Sequence, residues 1–438
     1  MGKKLHLVSL GCTKNLIDSE VMLGRLKEYT MTDDANEADL IIVNTCGFIE
    51  SAKEESLNTI LTLHEQRKES SLLVMAGCLS QRYKDELQNE LSEVDIFTGV
   101  GDYDVIDKLV EEKRSQFSPR VFLADETLDR VITGSNFHGY IKLSEGCNQS
   151  CAFCAIPNFK GKLQSRTLES IEKELQNMVS NGYYDFSFVS QDSSSFLRDN
   201  DVNDGLEQLI DTVERIAGVK SARILYLYPS TTTIKLIEKI ANSPVFHTYY
   251  DMPLQHISDT LLKIMKRGKG SEKLKELMGA MRKVPNSFVR STFIVGHPGE
   301  SEDDFKELCE FVKEYEFDRA NVFSYSDEED TSAYEMSEKI PQKIIDKRAE
   351  ILGAIIKETT LKSMRKDVGK VFPVVVEAVS DEHDLLLSAR KLSWERDIDG
   401  EIYINEIESG ETVLFGKIYN VKITELVGDK LLGTILEE

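Results

Sequence analysis

Three cysteines, Cys147, Cys151 and Cys154, stand in the run EGCNQSCAFCAIP at the spacing C-x3-C-x2-C. Thiolates this close in sequence are expected to share a metal centre. Four-iron clusters are normally held by four cysteines, so a cluster on three leaves one iron open to a small-molecule ligand. A structural zinc site would use the same thiolates but wants a closed fourth ligand, and no Cys or His follows Cys154 until His247.

Cys12, Cys46 and Cys78 are far apart in the chain, yet each follows an apolar run by the same short step: LHLVSLGC, LIIVNTC and LLVMAGC. If those runs are parallel strands, their C-terminal ends share the edge at which α/β sheets bind ligands, and the three thiols converge there. The alternative is three unconnected buried cysteines acting as small hydrophobes. The seventh, Cys309, lies on a helical face with Phe305, Leu308, Val312 and Tyr315 and reads as a core thiol.

Hydrophobic periodicity supplies the elements that position these residues. Residues 1–114 alternate short apolar runs (Leu5–Leu10, Asp39–Asn44, Leu72–Ala76, Val94–Thr98) with amphipathic stretches, the pattern of a parallel α/β domain. Residues 115–136 lose the periodicity and read as a linker. From 137 to 366 six strand–helix units follow, predicting a partial (βα)6 barrel with its chemistry at the C-terminal ends of its strands. Residues 367–438 form short β-rich segments broken by Gly, Asp and Glu, predicting a small antiparallel β-barrel. The fold class is therefore α/β with a β-barrel appended.

Rim placement makes other polar residues candidates. Gln191 and Asp192 end the second barrel strand, Gln255 and His256 the fourth, and GHPGE (Gly296–Glu300) the fifth. Gln191, Gly296 and Glu300 are expected to touch a cofactor, although GHPGE equally suits a strand-to-helix turn. Lys160, Lys162 and Arg166 read as a solvated face.

The C-x3-C-x2-C motif, with Phe153 before its last cysteine, resembles the signature of the radical S-adenosylmethionine enzymes. With Cys12, Cys46, Cys78 and the β-rich tail, the whole chain resembles the methylthiotransferases of that superfamily. LGCTKNLIDSE, NTCGFIESAKEES, AGCLSQRY, FCAIPNFKGKLQSR and PLQHISDTLLKIMKRG look like the motifs of the branch that modifies a ribosomal protein. One departure is Asp330 in YSDEEDT, where that family usually has Gly. The resemblance implies an N-terminal cluster domain, a radical barrel and a C-terminal TRAM domain. It further implies two 4Fe-4S clusters as metal centres, on Cys12, Cys46 and Cys78 and on Cys147, Cys151 and Cys154. The second triad would be catalytic and would bind S-adenosylmethionine, with Phe153, Gln191, Gly296 and Glu300 as cofactor-binding residues. The implied reaction puts a methylthio group on the β-carbon of an aspartate in small-subunit ribosomal protein 12. A flavodoxin or ferredoxin would donate electrons to a monomer.

Charge bears on the substrate. The chain carries 53 basic and 76 acidic residues, a net of -23, and residues 367–438 carry 7 Lys+Arg against 16 Asp+Glu, a net of -9. Such a surface attracts a Lys- and Arg-rich protein and repels tRNA unless a local basic patch, for example Lys266, Arg267 and Lys269, meets the phosphates. A tRNA methylthiotransferase and a non-catalytic iron–sulfur carrier are the alternatives. No run approaches the ~20 apolar residues of a membrane span, and the first residues fit neither a signal peptide nor myristoylation, so a cytoplasmic protein without a membrane partner is expected.

Overall fold

The computed structural model describes residues 2–408 and 412–437. In the N-terminal part, β1 (Lys4–Ser9), β2 (Thr30–Met31), β3 (Leu40–Thr45), β4 (Leu72–Gly77) and β5 (Ile96–Phe97) form one sheet in the order β2-β1-β3-β4-β5, parallel throughout. β3 is buried along its whole length, which is why LIIVNT reads as a continuous apolar run rather than an alternating one. The two-residue β2 carries no apolar run and has no sequence signal. The aperiodic stretch 115–136 packs onto this domain: Phe122 and Ala124 join its core, and Arg130 pairs with Glu20 and Glu174.

The central part contains β6 (His138–Lys142), a short antiparallel pair β7 (Ser144–Glu145) and β8 (Gln164–Ser165), then β9 (Asp185–Val189), β10 (Ser221–Ile224), β11 (Tyr249–Asp251), β12 (Phe288–Val295) and β13 (Arg319–Ser324). Parallel ladders join β6, β9 and β10, and again β11, β12 and β13. Backbone bonds from Ala222 to Val245 (3.0 Å) and from His247 to Ala222 (2.9 Å) link the two groups into one open arc. Intervening helices cover the outside and bury one large apolar core, including Leu175, Ile210, Ile237 and Leu308.

The C-terminal part closes into a barrel in the order β14-β15-β16-β18-β17, from β14 (Val371–Val379), β15 (Leu387–Lys391), β16 (Ile402–Ile407), β17 (Ile418–Val427) and β18 (Lys430–Ile435). Four pairings are antiparallel, but β16 and β18 run parallel. The turn after β15 plugs the N-terminal mouth of the βα arc. Trp394 and Glu395 are buried there; Glu395 accepts from Ser187 Oγ at 2.5 Å, and Arg390 reaches Asp185. Access to the arc is thereby left to its other end, where the cysteines lie.

Candidate functional site

Cys12, Cys46 and Cys78 lie just beyond C-terminal strand ends, and Cys147, Cys151 and Cys154 lie on the loop between β7 and the helix Ile156–Lys160. Cys12 follows β1 at the start of helix α1 (Thr13–Arg25), Cys46 follows β3, and Cys78 follows β4. Asn15, which the sequence reading passed over, ties their three loops together. Its Nδ2 donates to Leu10 O (3.1 Å) and Thr45 O (3.2 Å), and its Oδ1 accepts from Cys78 Sγ at 3.7 Å. Gly11, at φ +86°, cannot be replaced without strain, because a Cβ there would stand 2.7 Å from Cys46 Cβ. Its absence lets the first loop close on the second. Burial pushes the Cys46 thiol up to about 11, with the nearby Cys12 adding to the rise. Burial takes Cys78 to about 12, against the pull of Lys160.

The second triad sits on the loop after β7. Gly146 (φ +78°) passes so close to Lys162 O that a Cβ would come within 2.3 Å. Cys147 N–H donates to Gly161 O at 3.1 Å, and Gln149 N–H points at Cys147 Sγ (3.4 Å). Burial raises Cys147 to about 11 and, with Cys151 beside it, Cys154 to about 12. Arg267 donates Nη1 to Cys151 Sγ at 3.3 Å, and Tyr228 OH lies 3.7 Å from the same sulfur. Arg267 is 5% exposed, which removes it from the basic patch considered for nucleic acid.

Beside both triads lies a buried ring of charge. Lys142 on β6 bonds Asp18 of α1 and Glu145 (2.8 Å). Lys160 reaches Asp18 at 3.4 Å and Glu145 at 3.6 Å. Burial alone would raise the Glu145 carboxyl, but Lys142 and Lys160 hold it below the usual carboxylate range. Lys160 and Arg166 are thus not a solvated face: both are 5% exposed, and Arg166 pairs with Glu174. A Lys inside the apolar strand HGYIK, as Lys142 is, was the available sequence signal for this network.

The remaining candidates take definite places. Gln191 Nε2 donates to Glu145 while its buried Oε1 has no partner. Glu300 accepts from Gly296 N–H (2.6 Å) and Arg348 (2.6 Å) and lies 3.3 Å from His256 Nε2, so its carboxylate holds the GHPGE turn together. Phe153 packs edge-on to His297, centroids 6.2 Å apart. Asp330 makes its turn at φ +62° and accepts from Asn158 at 2.9 Å.

The rim suits a polar cofactor. Beyond five successive strands of the arc, Ser144 Oγ, Gln191 Oε1, Ser230 Oγ, Gln255 Oε1 and His297 Nε2 are buried without a partner, whereas buried polar atoms are normally satisfied. Among the described residues no three His, Cys, Asp or Glu groups are gathered tightly enough for one metal ion. Thiolates of a four-iron cluster each take a different iron and need no such convergence.

Comparison with known proteins agrees with this layout. Residues 4–99 match the family described as uncharacterized protein family UPF0004, residues 141–312 the radical SAM superfamily, and residues 368–436 the TRAM domain. The chain is 67% identical over 437 residues to the ribosomal protein uS12 methylthiotransferase RimO of Aliarcobacter butzleri, covering 99% of this chain and 98% of that one. It is 63% identical to the protein of the same name from Sulfurovum sp., covering 100% and 99%. The radical S-adenosylmethionine methyltransferase TsrM of Kitasatospora setae shares the fold, with a TM-score of 0.55 at 13% identity over 74% of this chain and 73% of that one. The radical SAM match and the named relatives define a radical SAM protein of the methylthiotransferase type. Identity over the full length is decisive at the finer level: the chain belongs to the RimO family of ribosomal protein uS12 methylthiotransferases.

Proposed function

We propose that this protein transfers a methylthio group to the β-carbon of an aspartate in ribosomal protein uS12, with Cys147, Cys151 and Cys154 holding one 4Fe-4S cluster and Cys12, Cys46 and Cys78 a second. The observation that carries this reading is the placement of the first triad at three C-terminal strand ends and of the second on the loop after β7, with the Asp18–Lys142–Glu145–Lys160 ring beside both. The chemistry that a cluster with an open iron and S-adenosylmethionine supply when bound is one-electron cleavage to a deoxyadenosyl radical, which can take a hydrogen atom that no side-chain base could remove as a proton.

The protein's own part is to hold and shield. Arg267 donates to the Cys151 sulfur and so fixes the position of that ligand. The partnerless rim atoms, Gln191 Oε1 and Ser230 Oγ among them, offer the polar contacts that S-adenosylmethionine needs. The plug at Trp394 and Glu395 closes the far mouth of the arc against water and reductants. Electrons come from a flavodoxin or ferredoxin, and the protein works as a cytoplasmic monomer; no helix among the described residues is long and apolar enough to cross a membrane.

The test is mass spectrometry of uS12 and of tRNA after incubation with the anaerobically reconstituted protein, S-adenosylmethionine and a reductant. A methylthio addition on the aspartate is expected. Addition to a nucleoside, or to neither, would sink the reading.

A further inference from the structure

A buried cation without a carboxylate partner stands beside the first triad. Lys14, the second residue of α1, is 9% exposed. Lys142 and Lys160 share Asp18 and Glu145 between them, two cations for two anions. Lys14 makes no ion pair among the described residues. Its Nζ rests instead on the face of Tyr226, 3.6 Å from the ring centroid. Cys12, Cys46 and Glu145 are near enough to act on its charge, which puts it beside the first triad. An aromatic face offsets only part of the cost of burying an ammonium, and Glu145, the carboxylate that acts on it, is already shared by Lys142 and Lys160.

Tyr226 shows that this arrangement is built rather than incidental. It follows β10 at the active rim with φ +62°, a conformation that bulky side chains avoid. Two hydrogen bonds enforce it: Tyr226 N–H donates to Asp251 Oδ2 at 3.0 Å, and Tyr226 O accepts from Ser193 N–H at 3.0 Å. The residue thus held lines, with Cys12 and Tyr140, a cavity of about 570 Å³ where the three domains meet; its charged lining is Glu20, which pairs with Arg130, and Asp397, which pairs with Arg396, and Lys14 adjoins it through Tyr226. That volume admits a few residues of extended chain.

We propose that Lys14, mounted on Tyr226, recognises the carboxylate of the target residue. The aspartate of the protein substrate pairs with Lys14 Nζ next to Cys12, which sets its β-carbon beside the triad, and the chain around it occupies the adjoining cavity. This assignment rests on the aspartate reading above. The competing role for Lys14 is to balance the thiolates of Cys12 and Cys46.

The experiment measures binding of two peptides to the reconstituted holoenzyme, one copied from uS12 around its target aspartate and one with asparagine at that position. The unmodified protein is expected to prefer the aspartate peptide at least tenfold. Lys14→Met should bind both peptides equally, at the affinity of the asparagine peptide, with iron content unchanged, and Lys14→Arg should recover most of the preference. The proposal is overturned if Lys14→Met keeps the preference, or if it loses the iron of the first triad, which would assign Lys14 to charge balance. A failure of the underlying reading shows separately, as no methylthio addition to the aspartate peptide by the unmodified protein.

Discussion

Arg267 and Cys151 are joined across 116 positions of sequence by a 3.3 Å contact from guanidinium Nη1 to sulfur, and the same guanidinium stacks 4.2 Å from the centroid of Tyr228. A charge-assisted bond of this kind contributes about 1.5–3 kcal/mol, and hydrogen bonds to sulfur raise the reduction potential of a cluster. Arg267→Met is expected to slow S-adenosylmethionine cleavage by roughly tenfold or more and to move the cluster potential to more negative values. Arg267→Lys should restore part of both. Deoxyadenosine formation and a potentiometric titration followed by electron paramagnetic resonance check this; unchanged values at full iron content would refute it.

The two triads should separate by role. With two four-iron clusters the protein holds about eight irons. Replacing Cys147, Cys151 and Cys154 by Ala should remove half the iron and all deoxyadenosine production. Replacing Cys12, Cys46 and Cys78 by Ala should also remove half, yet leave cleavage intact while abolishing methylthio transfer. Iron analysis with product chromatography decides, and transfer that survives the second replacement would end the two-site assignment.

Lys142 is the keystone of the contact between α1 and β6. Removing one member of a buried ion network leaves its partners uncompensated, at a cost of about 3–5 kcal/mol. Lys142→Met should therefore lower the melting temperature by several degrees and speed hydrogen exchange in α1. Lys173→Met, at a pair whose lysine side chain is 52% exposed, should leave both unchanged. Equal effects from the two variants would contradict the network's role.

Acid should weaken the junction between the arc and the terminal barrel. Burial, and the Arg223 guanidinium beside it, push His247 down to about 3, and burial carries His138 well below its ordinary value. An unfolded histidine titrates near 6.5. Between these values the unfolded chain binds a proton that the folded chain refuses. Stability is therefore full above about pH 6.5 and lost as pH falls, by up to about 1.4 kcal/mol per pH unit for each histidine. Melting curves from pH 7.5 to 5 should show this slope, and His247→Gln should flatten it; parallel slopes for the two proteins would count against the histidine.

Asp330 occupies a left-handed conformation, φ +62°, that glycine takes without strain. Asp330→Gly is expected to stabilise the protein by about 0.5–1 kcal/mol, a gain readable in a denaturant titration. A loss of stability would show that the Asp330 side chain contributes more than its backbone costs.

The chain by itself determined the domain order, most strands and helices, and the two cysteine triads, because each depends on local periodicity or on thiol spacing. The repeated step from an apolar run to Cys12, Cys46 and Cys78 was enough to place three distant thiols on one sheet edge. Residues whose role depends on what another element brings near were not legible in that way. Lys160 and Arg166 look like surface charge until α1 sets Asp18 above Lys160 and the helix at Leu168–Ser180 sets Glu174 beside Arg166. Arg267 looks like part of a basic patch until the turn after the helix Asp259–Ile264 carries it to Cys151. The parallel pairing of β16 with β18 and the plug formed by Trp394 and Glu395 have no local signal either. Periodicity records which face of an element is buried, whereas the partner of a buried charge is chosen by packing between elements far apart in the chain, and only the tertiary structure decides it.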